Sequence, residues 1–243
     1  MGMNKDNLIL IADSHIREGS AEEFFAMLAR IREYAPRGVV FLGDIFELWV
    51  ALDGYESGIH RRFLDWCRES KELFEVGFIV GNHEFYLEKY HPDAFSWIDL
   101  TAHTSPDGLR FVHGDLINRG DLIYRGLRQF LRNPLTRLLL KLTGRTIGPR
   151  VAEKVRTSLK AVNLPYQRKL PVNSLFQYAR FVRTQSVRKI YAGHFHRHEQ
   201  LDHPDGVPLE ILPAWATAGE IVCHAADGSS RCAPWRELLI PAE

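Results

Sequence analysis

A chain of 243 residues, 45% hydrophobic and 25% charged with a formal net charge of +1, has the size and composition of one α/β domain that buries its core without staples. The near-zero charge gives no global case for nucleic acid, and three widely spaced cysteines without a CxxC pair exclude a zinc knuckle and a disulfide framework and fit a reducing cytoplasm. There is no secretory signal core and no run of about 18 apolar residues, so neither standard export nor a membrane span is expected.

The apolar run from Asn7 to Ala12 predicts a buried strand that ends in Asp13-Ser14-His15. On an extended chain, Asp13 and His15 would point to one side. Ser20 reads as an N-cap with Glu22 and Glu23 in the first turn, and Phe24, Phe25, Leu28, Ile31 and Tyr34 make a helical stripe ending before Pro36. A second strand over 39–42 completes a β-α-β unit, hence a parallel sheet. It stops at Gly43-Asp44, which taken alone is a turn with a self-capping Asp.

A helix over about 57–74 would turn Ile59, Phe63, Trp66 and Cys67 inward. The strand 76–80 follows and ends in Gly81-Asn82-His83-Glu84; the strand 109–112 ends in His113-Gly114-Asp115. The stretch 119–187 has helical spacing and no strand signal. Its cations, from Arg119 to Lys169, are opposed only by Asp121 and Glu153 and are interleaved with Leu127, Phe130, Leu131, Leu135, Leu138, Leu139, Leu140 and Leu142. That pattern predicts a basic, leucine-rich helical insertion within a single domain spanning 1–243. The strand 188–192 ends in Gly193-His194-Phe195-His196. Beyond it, 209–212, 220–223 and 237–240 read as strands of a second, antiparallel sheet.

Five strands thus end in His, Asp or Asn: Asp13, His15, Asp44, Asn82, His113, His194 and His196. Carboxylate, imidazole and amide oxygen without thiolate suit manganese, with iron(II) or zinc as alternatives. The set is too large for one ion and right for two divalent ions sharing a bridge. Such a pair, about 3.5–4 Å apart, can activate water and clamp an in-line displacement at phosphorus.

Asp13-x-His15, Gly43-Asp44, Gly81-Asn82-His83-Glu84, His113-Gly114-Asp115 and Gly193-His194-x-His196 resemble, in order, the five blocks of the calcineurin-like metallophosphoesterases. The resemblance implies a four-layer α-β-β-α sandwich. It also implies one metal on Asp13, His15 and His196, another on Asn82, His113 and His194, a bridging Asp44, and attack on phosphorus by the bridging hydroxide. His83 would then stabilise phosphoryl charge or protonate a leaving group.

Within that superfamily the chain is similar to the UDP-2,3-diacylglucosamine hydrolases, pyrophosphatases of lipid A synthesis. The likeness rests on the block Gly43-Asp44-Ile45-Phe46-Glu47-Leu48-Trp49, on Asp121 and Tyr124 after the fourth block, on the basic insertion, and on Pro213-Ala214-Trp215. It implies cleavage of UDP-2,3-diacylglucosamine to the acylated sugar 1-phosphate and UMP beneath a helical lid. Asn82, Asp121, Arg156, Lys160 and His194 would then face the substrate. In one position the chain departs: His83-Glu84 stands where those enzymes commonly carry Arg-Asp, which removes an arginine expected to grip the pyrophosphate. A lipid-nucleotide needs an apolar slot beside cations, and the insertion supplies both. Its cations also suit the anionic cytoplasmic face of an inner membrane. The alternatives are another phosphodiesterase or phosphatase on the same centre, including a nuclease, and a non-catalytic binding scaffold. A nuclease is disfavoured because no aromatic-basic stacking surface is evident, so nucleic acid is not an expected partner.

Overall fold

The structure is a computed structural model and describes residues 5–118, 122–142 and 170–239. In chain order its strands are β1 (Leu8–Ile11), β2 (Gly38–Phe41), β3 (Trp49–Val50), β4 (Glu75–Ile79), β5 (Glu84–Phe85), β6 (Trp97–Asp99), β7 (Ala102–Thr104), β8 (Leu109–Val112), β9 (Lys189–Ala192), β10 (Glu199–Leu201), β11 (Leu209–Ile211), β12 (Glu220–His224) and β13 (Ser230–Pro234). The helices are α1 (Ala21–Tyr34), α2 (Gly58–Ser70), α3 (Leu87–Tyr90), α4 (Leu122–Leu131), α5 (134–142), α6 (Val172–Val182), α7 (Trp215–Ala218) and α8 (Trp235–Leu239).

The layers follow from the period-two alternation of strand side chains. On β1, Ile9 and Ile11 pack with Phe24, Leu28 and Ile31 of α1 and Phe63 of α2, whereas Leu8 and Leu10 face Phe111 of β8 and Tyr191 of β9. On β9, the neighbours of Tyr191 point the other way: Ile190 and Ala192 pack with Leu175, Ala179 and Val182 of α6. Helices, sheet, sheet and helix are therefore stacked in four layers. Each large aliphatic or aromatic side chain so buried contributes about 1.5–3 kcal/mol.

The first sheet has the order β13-β12-β1-β2-β4-β6 and the second β10-β11-β9-β8-β7. As expected, β1, α1 and β2 form a parallel unit, and β4 continues it. The expected composition of the second sheet is corrected. It is built on β8 and β9, with β11 parallel to β9, while β12 joins β1 antiparallel in the first sheet. Residues 237–239 are helical rather than a strand. Trp235, Leu238 and Leu239 lie at helical spacing and join the core under α1, and a short apolar run cannot reveal that choice by periodicity alone.

At the end of the sandwich away from the motif residues, a buried carboxylate ties the sheets together. Glu210 of β11 accepts from Ser230 Oγ of β13 at 2.5 Å and from Lys189 Nζ at 2.8 Å, and lies 3.0 Å from His198 Nε2. Burial alone would raise its pKa, but these three partners outweigh it and hold the carboxyl below its ordinary 4.5. A depressed folded pKa contributes stability that is present above the ordinary value and lost as pH falls through the lower one. Glu210→Gln should therefore flatten the decline of stability between neutral pH and the acid range, measured by denaturant midpoints across pH. An unchanged acid profile would contradict this role.

Helical character in the 119–187 stretch is seen at α4, α5 and α6; residues 119–121 and 143–169 lie outside the described residues, and with them Asp121, Arg156 and Lys160. Leu131 and Leu140 pack against Val50, Leu52, Phe85 and Tyr86, and Tyr86 Oη and Tyr55 Oη donate to the carbonyls of Leu131 and Leu140. Phe130, Leu135, Leu138, Leu139 and Leu142 remain 51–74% exposed.

Candidate metal centre

Each motif sits where a short buried strand runs out of hydrogen-bonded partners and the backbone turns. Glycine is required at two of these turns. A Cβ on Gly43, whose φ is +83°, would lie 2.7 Å from Gly81 backbone atoms and from His113 Nδ1, and one on Gly81 would lie 2.3 Å from Asp44 Oδ1. The β2 and β4 turns thus touch backbone to backbone.

The ligand-type residues carry the opposite signature. Asp13 (φ 51°), His15 (43°), Asp44 (54°), His194 (72°) and His196 (53°) are all left-handed. Non-glycine residues in that region are uncommon and concentrate at functional sites. The expectation that Asp13 and His15 share a side because the chain is extended is corrected. They meet because both turn left-handed, with Asp13 N donating to Gly43 O at 3.1 Å and His15 N to Asp44 O at 3.0 Å.

Seven strand-end residues from two sheets converge. Ligand-type atoms of Asp13, His15 and His196 lie within 4.8 Å of one another, as do those of Asp44, His113 and His194, and those of His15, Asp44 and His83. Asn82 Oδ1 is 3.0 Å from His113 Nε2, which adds Asn82 to the second set. Asp44 is shared between sets. Backbone carbonyls fix two of the imidazoles: His113 Nδ1–H donates to Leu42 O at 2.6 Å and His83 Nδ1–H to Glu47 O at 2.5 Å, so Nε2 faces the site in each. Asp13 Oδ2 accepts from His194 N at 2.7 Å and Asp44 Oδ1 from His83 N at 2.9 Å. Trp215 N donates to Ala12 O at 3.0 Å, which ties Pro213-Ala214-Trp215 to the turn after β1.

The electrostatics suit cations. Asp13, Asp44 and Glu84 are at most 1% exposed. Burial would raise the Asp44 pKa, but His83 and His113 outweigh it and hold the carboxyl well below its usual range. Burial drives His15 and His194 down to about 4, which keeps both imidazoles neutral, as a metal ligand must be. His15 Nε2 and His196 Nε2 point at each other 3.2 Å apart, and Asp13 Oδ1 and Asn82 Nδ2 are buried without a hydrogen-bond partner among the described residues. Buried carboxylates beside imidazoles fit divalent ions with oxygen and imidazole ligands.

Glu84 is the residue that motif reasoning overlooked. Its Oε2 accepts from Asp44 N at 2.9 Å and Gly81 N at 2.8 Å, and its Oε1 from Ile45 N at 2.8 Å. One carboxylate therefore binds the β2 turn to the β4 turn. Burial, then Asp44, pushes its pKa up to about 7. The sequence signal for this role is slight: Phe85, Tyr86 and Leu87 follow it and pull the segment inward.

Residues 7–198 match the calcineurin-like phosphoesterases, the family to which this chain belongs, and with that family the metal-competent constellation on an α-β-β-α sandwich is that of a metal-dependent phosphoester hydrolase. The family implies divalent metal ions. The chain is 28% identical over 236 residues to the UDP-2,3-diacylglucosamine hydrolase of Pseudomonas aeruginosa, covering 88% of this chain and 92% of that one. It is 27% identical over 211 residues to the enzyme of the same name from Pseudomonas fluorescens, covering 78% of each. Among solved structures it is similar to a dimetal phosphatase from Danio rerio, with 16% identity, a TM-score of 0.43, and coverage of 94% of this chain and 98% of that one.

Proposed function

We propose that this chain hydrolyses the diphosphate of UDP-2,3-diacylglucosamine to 2,3-diacylglucosamine 1-phosphate and UMP, with two divalent ions, manganese by preference. The observation that carries the reading is similarity along nearly the whole chain to hydrolases named for that substrate, together with the convergence here of buried and half-buried carboxylate, imidazole and amide side chains able to hold metal ions. Asp13, His15 and His196 would hold one ion, Asn82, His113 and His194 the other, and Asp44 both. When bound, such a pair supplies an activated water and neutralises charge at phosphorus. Asn82 and His194 would also border the phosphoryl group, with Asp121, Arg156 and Lys160 as proposed contacts to the rest of the substrate.

The chain's own contribution to the chemical step is His83. It is 2% exposed, its Nδ1–H is committed to Glu47 O, and its Nε2 is 3.8 Å from Asp44 Oδ2. That atom can hold a proton toward the phosphoryl oxygens or the leaving sugar 1-phosphate. His83→Ala should keep both ions and lower kcat about 10²- to 10⁴-fold. Elemental analysis beside kinetics checks this, and loss of metal would make His83 a ligand instead.

The exposed apolar side chains of α4 and α5, beside Arg125 and Lys141, supply a surface for acyl chains and for the headgroups of an anionic leaflet, at about 1 kcal/mol per well-placed cation. No described helix is long and apolar enough to cross a membrane. We place the protein at the cytoplasmic face, bound peripherally. The test of function is UMP release from UDP-2,3-diacylglucosamine with Mn²⁺. Turnover of simple phosphodiesters without turnover of that substrate would assign the same centre to another phosphodiesterase reaction.

A further inference from the structure

Two cations, Arg128 of α4 and Arg132 just past its end, turn inward instead of outward. Arg128, only 8% exposed, sets its Nη1 3.3 Å from Asp115 Oδ2 and donates from Nη2 to Leu100 O at 3.0 Å. Arg132, four residues on and so on the same face, continues the helical turn with its N–H on Arg128 O at 3.1 Å. Its Nη2 donates to Gly81 O and to Glu84 O, both at 2.8 Å, and its guanidinium lies 5.7 Å from the centre of the Phe85 ring.

These contacts reach two turns that belong to different sheets. Gly81 and Glu84 bracket Asn82-His83 after β4 of the first sheet, and Asp115 lies two residues past His113 after β8 of the second. No strand pairing joins β4 to β8. Yet Asn82 Oδ1 and His113 Nε2 must meet, and they stand 3.0 Å apart.

We infer that Arg132, with Arg128, is a positioning residue for the second metal site: α4 braces the β4 turn against the β8 turn and so sets the Asn82–His113 separation. This rests on the reading that Asn82 and His113 serve one ion. Two carbonyls held by one guanidinium fix the peptide planes on either side of Asn82-His83, and thereby the direction of the Asn82 side chain. The first site draws on Asp13, His15 and His196, which stand on other turns than those that Arg132 and Arg128 bond. The brace therefore acts most strongly on the second ion and reaches the first only through Asp44, which Glu84 and the His83 N–H hold.

The test titrates metal-free full-length protein with Mn²⁺, following bound ions by calorimetry and by the spin-coupled electron paramagnetic resonance signal of a manganese pair. Wild type is expected to take two ions. Arg132→Met should bind the first nearly as wild type does and the second about 10- to 100-fold more weakly. Arg132→Lys, which keeps the charge but has one donor nitrogen and a shorter reach, should fall between them. If Arg132→Met does not fold, Arg132→Lys decides alone on the same criterion. Two ions at wild-type affinity in the variant, or equal weakening of both, would overturn the brace. A wild type that takes fewer than two ions would instead overturn the dinuclear reading beneath it.

Discussion

Asp44→Ala is expected to strip both ions and to lower kcat/KM by at least about three orders of magnitude, roughly 4 kcal/mol of transition-state stabilisation. Asp44 is 1% exposed, and its carboxylate takes part in two of the ligand clusters. Among the described residues it joins His113 and His194 on one side and His15, a member of the Asp13–His15–His196 group, on the other. Its removal also leaves His113 without the charge that, against the effect of burial, pushes its pKa up to about 10. An imidazole that loses this partner becomes easier to deprotonate, so the loss of metal would stem from the missing bridge and not from a protonated His113. Metal content and steady-state rates on the purified variant check the prediction together. Retention of two ions would refute the bridging role.

Glu84→Ala should be the most destabilising single change at the site, by on the order of 4 kcal/mol, because three buried backbone N–H groups lose their acceptor at once. The same change unties the β2 turn from the β4 turn, so metal affinity should fall along with stability. Glu84→Gln keeps one acceptor oxygen but sets an NH₂ group against a backbone donor, and should lie between the two. Denaturant midpoints of the metal-free proteins separate these outcomes. A cost under about 1 kcal/mol would mean that repulsion from Asp44, which with burial pushes the Glu84 pKa up to about 7, cancels the contribution of the hydrogen bonds.

What was legible in the sequence was what strand periodicity and strand-end chemistry encode locally. Runs such as Leu8–Ile11 and Lys189–Ala192 are short, largely apolar and followed within two residues by Asp or His, so the strands and the candidate site residues could be read from them. Which sheet a strand enters is a non-local choice. Nothing in Leu209–Ile211 says that it will lie parallel to β9, nor in Glu220–His224 that it will flank β1. The left-handed turns were equally hidden, since Asp and His show no local mark of strain that only a crowded, over-determined site sustains. Arg128 and Arg132 look like the solvated cations around them. Only the packed structure shows that they spend their hydrogen bonds on the turns of two sheets.

Anomalous diffraction from crystals grown with Mn²⁺ tests the central claim most directly. Two peaks about 3.5–4 Å apart are predicted, with the Asp44 carboxylate between them, Asp13, His15 and His196 around one, and Asn82, His113 and His194 around the other. A single peak, or a pair that leaves Asp44 outside, would contradict the dinuclear phosphoester-cleaving centre proposed for this chain.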